Sequence, residues 1–111
     1  MIMAVIVLNN LDCLEKLLQE LTTHGFSGAT ILESTGMAHA LNNEDDLGFI
    51  SAFRALLNPE REKSKTIFTV IEDSKFEELA KIVNDVTGGL DKPDSGIIFS
   101  LPVSKWEGFK H

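Results

Sequence analysis

Residues Ile2–Leu8, IMAVIVL, are apolar at every position and rich in β-branched residues. Such a run is typical of a strand whose two faces are both buried. A strand with one wet face would instead alternate apolar and polar residues. The stretch therefore predicts a strand inside a sheet that is covered on both sides.

A helix and a second strand are expected directly after this stretch. Asn10 is a good cap for a helix that ends at His24 and Gly25. Residues 29–33 (ATILE) alternate loosely and predict the second strand. The apolar face of the helix consists of leucines at helical spacing, namely Leu11, Leu14, Leu17, Leu18 and Leu21.

The second half of the chain repeats this order. Residues 65–71 (KTIFTVI) predict a third strand, and the Ser-x-x-Glu spacing of Ser74 and Glu77 predicts a capping box at the start of the next helix. Gly88 and Gly89 are expected to end that helix. Its apolar face consists of Phe76, Leu79, Ala80, Val83 and Val86.

Residues 97–103 (IIFSLPV) predict the fourth strand, in which Pro102 suits a strand end or a sheet edge. Two strand–helix–strand halves of this length predict an α+β protein, a ferredoxin-like βαββαβ sandwich. One such domain accounts for residues 1–111. The insert between the halves, residues 36–64, is too long for a plain connection.

The insert itself has an amphipathic centre. Phe49, Ile50 and Phe53 lie at helical spacing, which predicts a short helix over residues 45–57. Phe49 and Phe53 are the expected contacts to a partner protein. Such a helix is also a candidate for shielding part of the sheet.

The predicted sheet has one face that no long helix covers, because right-handed crossovers place both helices on the other face. Residues 5–8 and 97–99 are nevertheless consecutive apolar positions. Another subunit is the preferred cover, so self-association is expected.

The composition limits the classes of partner and site. The apolar fraction of 43% with 24% charged residues excludes wholesale disorder, and a formal charge of −7 disfavours nucleic acid and anionic membranes as partners. Cys13 is the single cysteine, so neither an intrachain disulfide nor a cysteine-based zinc site is expected. With no signal-peptide pattern and no membrane-spanning run, the expected location is the cytoplasm.

Catalytic and metal-binding motifs are not expected either. The three histidines, His24, His39 and His111, do not stand at metal-ligand spacings, and the acidic run at residues 44–46 does not fit a calcium loop. No nucleophile elbow or phosphate-binding fingerprint occurs. We therefore expect a protein that is not an enzyme and holds no metal.

Two stretches resemble the nitrogen regulatory P-II signalling family. GATILE at residues 28–33, followed by Gly36, is similar to the second strand of that family, and GIIFSLPV at residues 96–103 is similar to its closing strand. Thr87 and Gly88 also match. The resemblance implies a ferredoxin-like protomer and a homotrimer with its sheets inside. It also implies an intersubunit cleft that binds ATP, ADP or 2-oxoglutarate, and a loop that contacts a target protein.

The chain departs from this family in the ligand-binding segments. Residues 36–40 are GMAHA where typical members have Gly-Phe-Gly-Arg-Gln, and the chain has no tyrosine for uridylylation. The loop after Thr87 is three residues longer, and Gly89 and Ile97 replace two cationic residues. Weak ATP binding is expected, with Lys92 as a replacement cation. The candidate ligand-binding residues are Gly36, Met37, His39, Gly88, Gly89, Lys92, Ser95 and Gly96.

Three functions remain open at this stage. The preferred one is a P-II-like regulator that senses a small molecule, with a nucleotide as the cofactor class, and controls an unidentified target protein. A trimeric metal-tolerance protein of the CutA type shares the architecture but lacks clustered ligands here. A small ferredoxin-like enzyme or a dimeric stress protein has no supporting constellation of residues.

Overall fold

The computed structural model describes residues 1–37 and 63–108. They form an α+β protein with a four-stranded antiparallel sheet and two helices. Short 3-10 turns at Leu11–Cys13 and Asp73–Lys75 lead into the helices. In chain order the elements are β1 (Ile2–Leu8), α1 (Leu14–Thr23), β2 (Thr30–Ser34), β3 (Ser64–Ile71), α2 (Phe76–Thr87) and β4 (Gly96–Pro102).

The sheet has the strand order β2-β3-β1-β4, and each neighbouring pair is antiparallel. β1 is an inner strand, in which Ile6 lies between Ile67 of β3 and Ile98 of β4. β2 and β4 form the two edges. The strand predicted over IMAVIVL is confirmed, and the arrangement is compatible with a ferredoxin-like fold.

Both helices pack on one face of the sheet, which we call the inner face. Every second residue of β1 faces them, and Ala4 and Leu8 are fully buried there. Leu17 of α1 and Leu79 of α2 are also fully buried, and the two helices contact each other. Burying one such leucine contributes about 1.5–3 kcal/mol to stability, so this layer dominates the core. Its buried members are Ala4, Ile6, Leu8, Leu17, Leu21, Phe26, Ile67, Ile71, Leu79, Ile82 and Val83.

The start and end of α1 follow the sequence pattern. The Asn10 side-chain oxygen accepts a hydrogen bond of 3.2 Å from the Asp12 N–H, although the first turn that it caps is a 3-10 turn. At the other end, His24 is the C-cap and Gly25 has a φ of +87°. The positive φ explains why glycine follows the last turn.

The capping box predicted for α2 is wrong. No side chain caps this helix, because the chain enters it through the Asp73–Lys75 turn and Ser74 lies within that turn. The Lys75 N–H donates a backbone hydrogen bond of 2.9 Å to the Glu72 carbonyl oxygen, which closes the turn without a side chain. The predicted helix end is confirmed, since Gly88 is a left-handed C-cap with a φ of +82°.

The strand bounds differ from the prediction by one residue at most, with β1 unchanged. The predicted helix at residues 45–57, with Phe49 and Phe53, lies outside the described residues, as does His39. Among the helices in the described part of the chain, none is long and apolar enough to cross a membrane.

Candidate functional site

The outer face of the sheet, opposite the helices, is apolar across three strands. Val5 lies between Phe68 of β3 and Phe99 of β4. Met3 and Val7 extend the same row along β1. The outer-face apolar residues on these strands and on β2 are Met3, Val5, Val7, Leu32, Phe68, Val70, Ile97, Phe99 and Leu101.

Several of these side chains are strongly exposed to solvent. Ile97, Phe99 and Leu101 on β4 are 54%, 40% and 47% exposed, and Leu32 on β2 is 51% exposed. Val5 on the inner strand β1 is only 8% exposed, so the most exposed apolar side chains of this face lie on the two edge strands. Exposed apolar side chains that lie together on one sheet face are typical of an interaction surface.

The loop between α2 and β4 holds most of the candidate ligand-binding residues. The Lys92 ammonium nitrogen lies 3.3 Å from the position that a Cβ on Gly88 would occupy, so the lysine reaches back over the end of α2. The Asp91 carboxylate oxygen lies 2.6 Å from the corresponding position on Gly89. A carboxylate and an ammonium therefore lie over adjacent glycines, and the carboxylate counteracts the attraction of an anion to Lys92.

Ser95 and Gly96 join this loop to the end of β1. The Ser95 side chain is buried, and its hydroxyl donates a hydrogen bond of 2.8 Å to the Lys92 carbonyl oxygen. Its own carbonyl accepts hydrogen bonds from the N–H groups of Asn9 and Asn10. A Cβ on Gly96 would overlap the carbonyl oxygen of Val7. Ser95 and Gly96 therefore both stabilise the structure of the loop and its junction with β1.

Gly36 and Met37 follow β2 at the end of the sheet that also holds the loop at 88–96, but they lie at the opposite edge. Ser34 at the end of β2 pairs with Ser64, and Leu8 at the end of β1 pairs with Gly96. Because β2 and β4 are three strand spacings apart, about 14 Å separates them. One chain does not bring Gly36 and Met37 together with the loop at 88–96.

A polar cluster lies on β2 and β3 at this end. The Ser34 hydroxyl forms hydrogen bonds of 2.7 Å with Ser64 and 2.8 Å with Thr66. Across the same strand pair, the Lys65 ammonium lies 3.0 Å from the Glu33 carboxylate. The hydrogen bond and the charge of Lys65 lower the pKa of the Glu33 carboxyl.

A cleft of about 400 Å³ opens at the opposite end of the sheet. It lies between the α1–β2 connection and the end of β3. Local sequence patterns indicate His24 only as a residue near a helix end and do not indicate Lys75 or Thr69. Gly25 and Gly28 are the sequence features that indicate a connection between α1 and β2. The lining residues are His24, Gly25, Phe26, Ser27, Gly28, Thr69, Val70, Ile71, Glu72 and Lys75.

No protein-family model matches this sequence, and no curated protein matches it either.

Proposed function

We propose that this chain is a P-II-like regulatory protein of the cytoplasm, with a ferredoxin-like fold, that assembles as a homotrimer and catalyses no reaction. It senses a small molecule in a cleft between subunits and controls an unidentified target protein. The observation that carries this proposal is the apolar outer face of the sheet, with Ile97, Phe99 and Leu101 exposed on its edge strand. In a trimer with its sheets inside, this face is covered by the other copies.

The position of the candidate ligand-binding residues supports a site between subunits. Gly36 and Met37 lie at the β2 edge, and the loop at 88–96 lies beside the β4 edge. A ring in which the β2 edge of one copy meets the β4 edge of the next would place the two segments side by side. Such a head-to-tail contact closes into a cyclic oligomer when its rotation permits.

The charges near this proposed intersubunit cleft favour weak binding of a nucleotide. Lys92 supplies a cation, and the Asp91 carboxylate lies over the neighbouring glycine. Neither Gly89 nor Ile97 provides the charge-assisted contact that cationic residues give to phosphate. A formal charge of −7 also disfavours a polyanionic ligand.

Light scattering of the purified protein tests the assembly. We expect a mass three times that of the 12.2 kDa chain. Phe99→Asp on the outer face should shift the protein to a smaller species, because it places a charge in the covered apolar layer. Ser100→Asp is the matched control, since Ser100 is exposed on the other face of the same strand.

A folded wild-type monomer at micromolar concentration would contradict the trimer. A ligand test completes the experiment, because a compound that binds only the folded state raises the melting temperature. Stabilisation by Mg-ATP, Mg-ADP or 2-oxoglutarate supports the sensor. Stabilisation by Cu²⁺ alone would instead favour the metal-tolerance class.

A further inference from the structure

The cleft between the α1–β2 connection and the end of β3 contains a buried hydroxyl group that has no hydrogen-bond partner among the described residues. Thr69 lines this cleft and is 5% exposed. Four polar residues are buried in the described part of the chain, and the side chains of Ser64, Thr87 and Ser95 all form hydrogen bonds. The Thr69 hydroxyl forms none with any described residue. Because buried polar groups are normally paired, this hydroxyl is available to a molecule that binds in the cleft.

The backbone on the other wall of the cleft offers further donors. The N–H groups of Gly25 and Phe26 are used, since they donate to Thr22 and Leu21 at the end of α1. The next two N–H groups, of Ser27 and Gly28, form no hydrogen bond within residues 1–37 and 63–108. Two backbone donors and the Thr69 hydroxyl therefore remain available along one cleft.

The charged side chains of the cleft have both signs. Lys75 supplies an ammonium, which lies 3.8 Å from the Glu78 carboxylate, and Glu72 supplies a carboxylate. His24 adds an imidazole whose Nδ1 lies 2.9 Å from the Glu20 carbonyl oxygen. A lining with one ammonium and one carboxylate fits a molecule with one negative and one positive group better than a phosphate. Its volume of about 400 Å³ is sufficient for a small molecule.

From these features we propose that the cleft binds a small zwitterion, an α-amino acid. Its carboxylate contacts Lys75 and the N–H groups of Ser27 and Gly28, and its ammonium contacts Glu72. The Thr69 hydroxyl completes the polar shell. The site lies within one chain, so this inference does not depend on the trimer or on the intersubunit cleft.

Calorimetry with each standard L-amino acid tests the proposal on the wild-type protein. At least one amino acid should bind at millimolar concentration or below. Sodium acetate and ethylammonium chloride, which each carry one of the two charges, should bind about tenfold more weakly or worse, because each lacks one charge-assisted contact. The absence of binding by every amino acid would overturn the proposal, and so would equal binding of acetate.

Three variants locate the site. Thr69→Val, Lys75→Met and Glu72→Gln should each weaken binding about tenfold, the effect of losing one hydrogen bond or charge contact. Lys81→Met is the matched control, because Lys81 is exposed on α2, pairs with Asp85 and does not line the cleft. Unchanged affinity in all three variants would overturn the proposal.

Thr69→Val has a second readout that needs no ligand. Removing a buried hydroxyl that has no partner should raise the melting temperature of the free protein, since valine has nearly the same shape. The gain should shrink when the bound amino acid is present. A lower melting temperature in the free protein would mean that the hydroxyl already has a partner, and that result would overturn the inference.

Discussion

Glu33 and Lys65 lie directly opposite each other on β2 and β3, with the ammonium nitrogen 3.0 Å from a carboxylate oxygen. Opposite charges in such a cross-strand pair stabilise a sheet modestly, and this pair joins β2 to β3. The same contact lowers the pKa of the Glu33 carboxyl below its ordinary value of 4.5, with a smaller effect from Lys63.

The pH dependence of this contact has a definite sign. Because the pKa of Glu33 is lower in the folded state, the pair stabilises the fold above the unfolded pKa, and that contribution is lost as the pH falls through the folded pKa. Lys65→Met should raise the pKa of Glu33 in an NMR titration and reduce the loss of stability on acidification. Lys81→Met, which removes a cation on α2, should leave the pKa of Glu33 unchanged. A Glu33 pKa that is insensitive to Lys65 would contradict this assignment.

Gly96 should tolerate no side chain. Its φ is +145°, and a Cβ there would overlap the Val7 carbonyl oxygen of the neighbouring strand. Gly96→Ala should lower the free energy of unfolding by about 1–3 kcal/mol or more in urea titrations. Gly28→Ala serves as the control, because no heavy atom lies within 4 Å of the added Cβ. Equal effects of the two substitutions would show that the close approach at Gly96 is unimportant.

The destabilisation caused by replacing Leu79 and that caused by replacing Ile97 should depend differently on protein concentration. Leu79 is fully buried between helix and sheet, so Leu79→Ala should cost about 2–5 kcal/mol of unfolding free energy at any concentration. Ile97 is 54% exposed in the single chain, and Ile97→Ala should matter only where copies cover it. Melting temperatures measured over a roughly hundredfold range of protein concentration separate the two effects. A concentration-independent effect of Ile97→Ala would argue against cover by a second copy.

Mg-ATP should bind far more weakly than in typical P-II proteins. The absence of two charge-assisted contacts, each contributing about 1.5–3 kcal/mol, weakens binding by roughly two to four powers of ten. Micromolar binding in calorimetry would contradict this prediction.

Two neighbouring side chains should change the remaining ATP affinity in opposite directions. Asp91→Asn should strengthen binding, since it removes a negative charge beside the glycine pair, and Lys92→Ala should weaken it further. Calorimetry on both variants measures the two shifts, with Lys81→Met as a control for the loss of a cation elsewhere. If the Asp91→Asn variant bound ATP more weakly than the wild-type protein, the carboxylate would be shown to favour rather than oppose ATP binding.

Much of the fold was predictable from local patterns. The unbroken apolar run of β1 indicated a buried strand, and the leucine spacing of α1 indicated the face that is buried. These predictions succeed because the periods of strands and helices are properties of consecutive residues. The capping box at Ser74 failed for the same reason: the motif describes four residues, whereas the entry into α2 also depends on the 3-10 turn that precedes it.

Local sequence patterns were sufficient to predict the strands, the two amphipathic helices and the consecutive apolar residues that lie on the outer sheet face. The three-dimensional fold was needed to show that Gly36 and the loop at 88–96 lie at opposite edges of one sheet, and that Thr69 lines a cleft beside Ser27 and Lys75. Strand order and the pairing of a hydroxyl depend on contacts between residues that are distant along the chain. No local pattern carries that information, because the energy that selects those contacts comes from packing the whole core.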